Sequence, residues 1–502
     1  MGFTESTYEN FVAEDGAARS RLIRTYAGAK DDFDVAIVGS GVGGGILADD
    51  LAERIGAGKR ILVVEAGSFL YPTHVYNVCR FPNADIARRF GVRTFHQQGD
   101  SQSEFHIGEQ PQLNFGGRSI FWSGLIPEIQ GWELDYFPDN IRSALTGGLL
   151  DRAGETMNES RSMGDTATKI VEKLRASDLA QDFEIVQTPR ALHQPYLEPD
   201  GTPTAEFFTE PTGVFNTAEL LTGQLGLEPG APDDGKGLHL LLNTFVEAVD
   251  DQGDHVEVLT RNVLTGETRT FRARRVVLCG GSIESPKLLR RSPAFDALPD
   301  TVRPLVGRGL TDHPTSNEIT TSVTGIGGIP IPRSSNVKII FYSRGHRVDG
   351  RIRFPFNVEM NINHEWWHLR DDDPTARPPL TGPCPLDIKF SFANCLDDDN
   401  AIRPDPGYVP EIDFHNLSWT THLTGSRIPA TAGWESRQDA DLLWWVLNEV
   451  THRIFSLFDR DGVPARPDTD DHGKELWFGQ GKGFGWGTVH HAAGSLRMPT
   501  RP

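Results

Sequence analysis

Three patterns in this 502-residue chain have residue types and spacings that could do chemistry. The first is Gly39-Ser-Gly41-Val-Gly43-Gly44, which follows the apolar run 33–38 and opens a stretch that reads as a helix over 46–54. In a strand-turn-helix setting Gly39 permits the tight turn, Gly41 lets the backbone approach a pyrophosphate, and Gly44 lets the helix pack on the strand. The helix N-terminus then faces the phosphate charge. Glu65, 21 residues past Gly44 and at the end of the next strand-like run, suits an acceptor for a ribose hydroxyl. An acid there disfavours a 2'-phosphate, so the expected dinucleotide is FAD or NAD rather than NADP.

The second pattern is His364-Glu-Trp-Trp-His368, the H-E-x-x-H arrangement that on a helix presents two imidazoles to Zn²⁺. The residues before it alternate as in a strand, where the two histidines would stand roughly 13 Å apart, too far to share one ion. No metal is expected. Trp366 and Trp367, with Phe354 and Phe356, read instead as an aromatic wall near a substrate pocket or as plain core. The third pattern is the pair His490-His491, since imidazole is the side chain suited to taking a hydroxyl proton near neutrality. In an extended segment the two would point to opposite sides.

The elements that must position these residues are a βαβ unit over 33–65 and strand-like runs at 239–249 and 255–260. A buried-type run, Arg275-Val-Val-Leu-Cys279, then ends in Gly280-Gly281. The βαβ unit implies a parallel sheet, with a three-stranded excursion inside it. From about 316 to 420 alternating segments broken by Pro/Asp-rich loops suggest a separate, mostly antiparallel layer. Residues 5–27 read as an amphipathic helix before the first strand.

Composition limits the partners. The chain is too long for one ordinary core, so two domains are expected, and its mean hydropathy of -0.37 comes with no apolar run long enough for a membrane span. A net charge of -20 repels nucleic-acid backbones and anionic lipid. Four cysteines (Cys79, Cys279, Cys384, Cys395) without close pairing read as reduced thiols, and the N-terminus lacks a secretory h-region. A cytoplasmic location is the expectation.

Further segments appear in order: Asn114-Phe-Gly-Gly-Arg-Ser-Ile-Phe-Trp-Ser-Gly124, Gly280-Gly-Ser-Ile-Glu-Ser-Pro-Lys-Leu-Leu289, Val306-Gly-Arg-Gly-Leu-Thr-Asp-His-Pro314 and His491-Ala-Ala-Gly-Ser-Leu-Arg-Met498. With the glycine fingerprint they resemble the glucose-methanol-choline (GMC) flavin oxidoreductases, with a loose likeness of 114–124 to the sugar- and pyranose-oxidising members. The resemblance implies an α/β fold in which a Rossmann-like FAD-binding domain (31–130, 235–315 and 475–502) interleaves with an antiparallel-sheet α+β substrate domain (131–234 and 316–474), preceded by a helical extension (1–30). It implies FAD along the first domain, with Gly116, Gly117 and Ser119 against pyrophosphate and flavin and Val246 at the adenine. It also implies His491 as the base that takes the substrate's hydroxyl proton while hydride moves to flavin N5, with His490 as the local rival. Phe121 stands where the pyranose-oxidising branch carries a flavin-linking histidine, so the FAD is expected to be non-covalent.

The expected function is oxidation of a CH-OH group in a sugar, glycoside or other alcohol, with the electron acceptor open between oxygen and another molecule. An NAD-linked dehydrogenase would share Glu65 and the glycines but not the later segments. Family members usually continue past the final motif to a second His or Asn, whereas this chain stops at Pro502. The expected alternatives are a truncated non-catalytic flavoprotein, or completion by a second chain or a homo-oligomer.

Overall fold

The computed structural model describes residues 32–54, 59–69, 111–131, 133–160, 164–192, 214–224, 237–311, 318–333, 337–344, 356–363, 382–392, 398–402, 448–469 and 491–497, together with short strands and single positions between them. The expected 5–27 helix, the 364–368 motif, Trp366, Trp367 and His490 lie outside the described residues.

The chain has a mixed α/β fold with two main sheets. Strand β1 (Asp32–Val38) runs into helix α1 (Val42–Arg54) and returns as β2 (Ile61–Val64), parallel to β1 from Val35↔Ile61 to Val38↔Val64. The helix begins four residues earlier than the apolar pattern suggests, because Val42 and three glycines already follow helical dihedrals without contributing to the periodicity. Helix α2 (Thr217–Gln224) precedes β3 (Leu238–Leu241), which adds to β2 in parallel. Then come β4 (Thr244–Asp251), β5 (Val256–Asn262), β6 (Thr268–Leu278) and α3 (Gly281–Arg291).

The sheet order is β3-β2-β1-β6-β5-β4. The C-terminal half of β6 lies parallel to β1 (Val35↔Arg275 to Val38↔Leu278), while its N-terminal half pairs antiparallel with β5. The single strand expected over 239–249 is in fact two. Asn243 breaks it with φ of 52°, a left-handed conformation that Asn tolerates, and its N–H donates to the Gly67 carbonyl at 2.9 Å. Alternation of residue types carries no trace of such a break.

This arrangement buries the parallel sheet on both faces. Ile37, Val63 and Leu240 pack with Ala48 and Ala52 of α1 and with Ala218 and Leu221 of α2. On the other face Ala36, Leu62 and Val64 pack against Val246, Val249, Val258 and Phe271 of the three-stranded excursion. Burial on both faces explains the continuous apolar run of β2. Helix α2 thus serves the first core, although it falls in the stretch 131–234 expected to belong to the second domain.

The second sheet is antiparallel. Its centre is Cys384–Phe392, flanked by Ile319–Val323 and Phe356–Ile362, then Val337–Ser343 and Phe183–Gln187. One face carries Ile339, Phe341, Val358, Met360, Leu386 and Ile388 into a core shared with helix Asp165–Arg175. Phe356 belongs to that core, edge-on to Phe183 at 5.9 Å between ring centres, and so is packing rather than a pocket wall. Among the described residues no helix is long and apolar enough to cross a membrane, and no group of side chains is placed to hold a metal ion.

Candidate dinucleotide site

The glycine motif sits where β1 ends and α1 begins, and each glycine has a separate reason. Gly39 has φ of 104°, and a Cβ there would lie 2.6 Å from the Cys279 carbonyl oxygen. A Cβ on Gly44 would lie 2.0 Å from the Gly39 carbonyl oxygen, so only glycine lets α1 close on the strand. Gly41 and Gly43 are different: a Cβ on either would meet no atom within 4 Å. Both line a cleft of about 340 Å³ beside the N-terminus of α1, where the helix dipole and free N–H groups favour an anion.

The 114–124 segment covers this turn. Gly116 and Gly117 both have positive φ, 82° and 53°, and Gly117 approaches so closely that a Cβ on it would stand 3.0 Å from the Gly41 Cα. Gly117 and Arg118 line the cleft. Ser119 lies behind it, fully buried: its hydroxyl donates to the Gly116 carbonyl at 2.6 Å and accepts from the Thr217 N–H at 3.0 Å. Its described contacts hold the loop in shape.

Glu65 lines the cleft floor and is 5% exposed. One carboxylate oxygen, Oε2, accepts from the Ser40 N–H at 3.0 Å and the Ser40 hydroxyl at 2.7 Å, and Oε1 accepts from the Gly67 N–H at 2.9 Å. Burial pushes the carboxyl above its ordinary range, opposed by those three hydrogen bonds and by the Ala66 backbone N–H. Ser40 also accepts from the Gly116 N–H at 3.0 Å, which ties acid, turn and covering loop together.

At the far end Thr244, Phe245 and Val246 line the cleft with Arg291. The Arg291 guanidinium lies 4.8 Å from the centre of the Phe245 ring and donates to the Val246 and Glu247 carbonyls, both at 2.7 Å. The flat aromatic-guanidinium surface suits a purine. Gly280, Gly281, Ser282 and Glu284 of the α3 N-terminus line the side. Lys287 balances the acid, 2.7 Å from Glu284, and burial lowers the Lys287 ammonium pKa against that pairing.

The C-terminal segment enters here. Ala492 lines the cleft, next to exposed His491. Ala493 exchanges two backbone hydrogen bonds with Thr311, at 2.9 and 2.8 Å.

Residues 231–315 match the family model of the GMC oxidoreductases. That match covers β3 to α3, and the glycine turn and the covering loop precede it. Among solved structures, the fold is similar to a pyridoxine 4-oxidase from Mesorbium loti, at 15% identity and a TM-score of 0.53, over 93% of this chain and 89% of that one. It is also similar to a formate oxidase from Aspergillus oryzae RIB40, at 16% identity and a TM-score of 0.47, over 77% and 78% of the two chains. No curated protein sequence matches the chain.

The structure therefore brings Gly39, Gly41, Gly43, Glu65, Gly117 and Val246 to one cleft, with Gly44, Gly116 and Ser119 behind it and His491 beside it. Sequence reasoning missed Ser40, Thr217 and Arg291. Ser40 stands inside the glycine motif, where any residue is allowed, and Thr217 and Arg291 arrive from segments distant in the chain.

Proposed function

We propose that this chain is an FAD-dependent oxidoreductase that oxidises the CH-OH group of a sugar, glycoside or other alcohol, with His491 as the base. The observation that carries the cofactor reading is the open space at the Cβ positions of Gly41 and Gly43, beside a helix N-terminus and backed by Glu65. The described residues fit the adenosine diphosphate half of FAD. Gly41, Gly43 and Gly117 would flank the pyrophosphate, Glu65 would accept from a ribose hydroxyl, and Val246 with the Phe245-Arg291 surface would hold the adenine. When bound, FAD would supply a hydride acceptor at N5.

His491 would accept the hydroxyl proton, which raises electron density at the carbinol carbon and favours hydride loss. Its chain neighbour Ala492 borders the cleft, which supports that placement. The first sheet with residues 31–130, 235–315 and 475–502 would form the cofactor domain, and 131–234 with 316–474, apart from α2, the substrate domain. A non-covalent cofactor follows from Phe121 in the covering loop.

Stopped-flow measurement of anaerobic flavin reduction tests the proposal. His491→Ala should slow reduction by an alcohol or sugar by about 10²- to 10⁴-fold, the usual contribution of a positioned base, with flavin content unchanged. Reduction of the variant at the wild-type rate would remove His491 from the base role.

A further inference from the structure

Helix α3 contains a proline in its interior, Pro286. In a regular α-helix the carbonyl of residue i accepts from the N–H of residue i+4, so the partner of the Ser282 carbonyl would be the N–H that Pro286 lacks. The structure fills that vacancy from far away in the chain. The Ser495 hydroxyl donates to the Ser282 carbonyl. In return the Ser282 hydroxyl donates to the Ala492 carbonyl at 2.6 Å. Ser495 is 1% exposed, and its own carbonyl accepts from the Gly307 N–H at 2.8 Å. Residues 492–495 are thus fastened on one side to the helix that borders the cofactor cleft and on the other to 307–311.

We infer that Ser282, Pro286 and Ser495 form a latch that positions the His491 segment against the cofactor-binding helix. This rests on the proposal that His491 is the base. Ser495 is a positioning residue in this scheme: it lies outside the cleft lining and acts through the Ser282 carbonyl and the chain leading back to Ala492 and His491. Pro286 matters because it has no N–H. An ordinary residue at 286 would satisfy the Ser282 carbonyl within the helix and compete with Ser495. The reciprocal pair also explains why both ends need a hydroxyl, since each donates to a carbonyl on the other segment.

The latch makes a prediction that mere stabilisation does not. Pro286→Ala restores a helix N–H and removes an unfavourable interior proline, so the melting temperature should hold or rise while the latch weakens. Ser495→Ala removes one donor outright. Hydrogen exchange of the peptide spanning 491–497, followed by mass spectrometry in the flavin-free and flavin-loaded protein, should accelerate about tenfold in both variants. In the loaded protein, flavin reduction should slow about tenfold with KM within threefold of wild type, because misplacing a base costs rate rather than substrate binding. Wild-type exchange in Ser495→Ala, or acceleration in Pro286→Ala only in step with a lower melting temperature, would overturn the latch. The base assignment is judged separately: if His491→Ala reduces flavin normally, His491 is not the base, while the exchange data still decide whether the latch holds its segment.

Discussion

Gly41 and Gly44 stand three positions apart on one turn, yet the same methyl group should do opposite things at each. At Gly44 an added Cβ would come within 2.0 Å of the Gly39 carbonyl oxygen, where ordinary contact begins at 3.4 Å. Both groups belong to backbone, so no rotamer relieves the overlap, and α1 would have to move by more than an ångström from β1. Ala48 and Ala52, 0% and 5% exposed, pack on that interface. The expected cost of Gly44→Ala is about 3 kcal/mol, the upper range for overpacking a tight core. For a domain of roughly 200 residues this lowers the melting temperature by about 6–12 °C. At Gly41 the Cβ would meet nothing within 4 Å, and its φ is not in the left-handed region. Gly41→Ala should therefore melt within about 2 °C of wild type when flavin-free, as expected where the backbone accepts alanine. The methyl would instead project into the cleft where a pyrophosphate must approach, weakening FAD binding at least tenfold, about 1.4 kcal/mol. The assay is titration of deflavinated protein with FAD, read by flavin fluorescence, with melting measured without FAD so that ligand stabilisation does not intrude. Wild-type FAD affinity in Gly41→Ala would refute the assignment of this cleft, and an unchanged melting temperature in Gly44→Ala would refute the packing calculation.

Two other outcomes are expected. Acid precipitation should release all FAD into the supernatant, whereas flavin retained by the precipitate would show a covalent link elsewhere than at Phe121. Asp387, on the face of the second sheet opposite its apolar core, has its pKa pushed up from 3.8 to about 6, chiefly by burial; Glu318 and Glu359 add to the shift, and Lys338 and an Asn361 hydrogen bond at 2.8 Å oppose it. A raised pKa means the fold holds the proton more tightly than the unfolded chain, so this contribution is complete below pH 3.8 and is lost as the pH rises through about 6. Asp387→Asn should flatten that slope and stabilise the protein above pH 6 by up to about 3 kcal/mol; denaturant melts between pH 4 and 8 that keep the wild-type slope would exclude Asp387 as its source.

Much of the first sheet was legible in the chain because its constraints are local. A turn that must be glycine, an acid one strand later and strands buried on both faces leave marks within about 30 residues. The positive φ of Asn243 left none, since an asparagine between two apolar runs is equally compatible with a continuous strand. The second sheet was legible as a class but not as a topology: strand Phe183–Gln187 joins Val337–Ser343 across about 150 residues, and no periodicity records which strand pairs with which. Helix α2 shows the same limit, since its apolar residues fit either core and only contact with α1 places it in the first.

Ser40 and Ser495 show why part of the site stays hidden even when every motif is found. Each is a small hydroxyl residue at a position a motif leaves unspecified or assigns no role. Each acts through an acceptor made available elsewhere: Ser40 through the buried Glu65 oxygen, Ser495 through the carbonyl whose i+4 N–H is missing at Pro286. The physical requirement lies with the acceptor, since a buried carbonyl or carboxylate without a donor costs about 1–3 kcal/mol. Counting the donors each buried acceptor lacks is therefore the more productive way to read such a chain. In α3 that count begins with a proline and leads to a serine 209 positions away, beside the histidine on which the proposed chemistry depends.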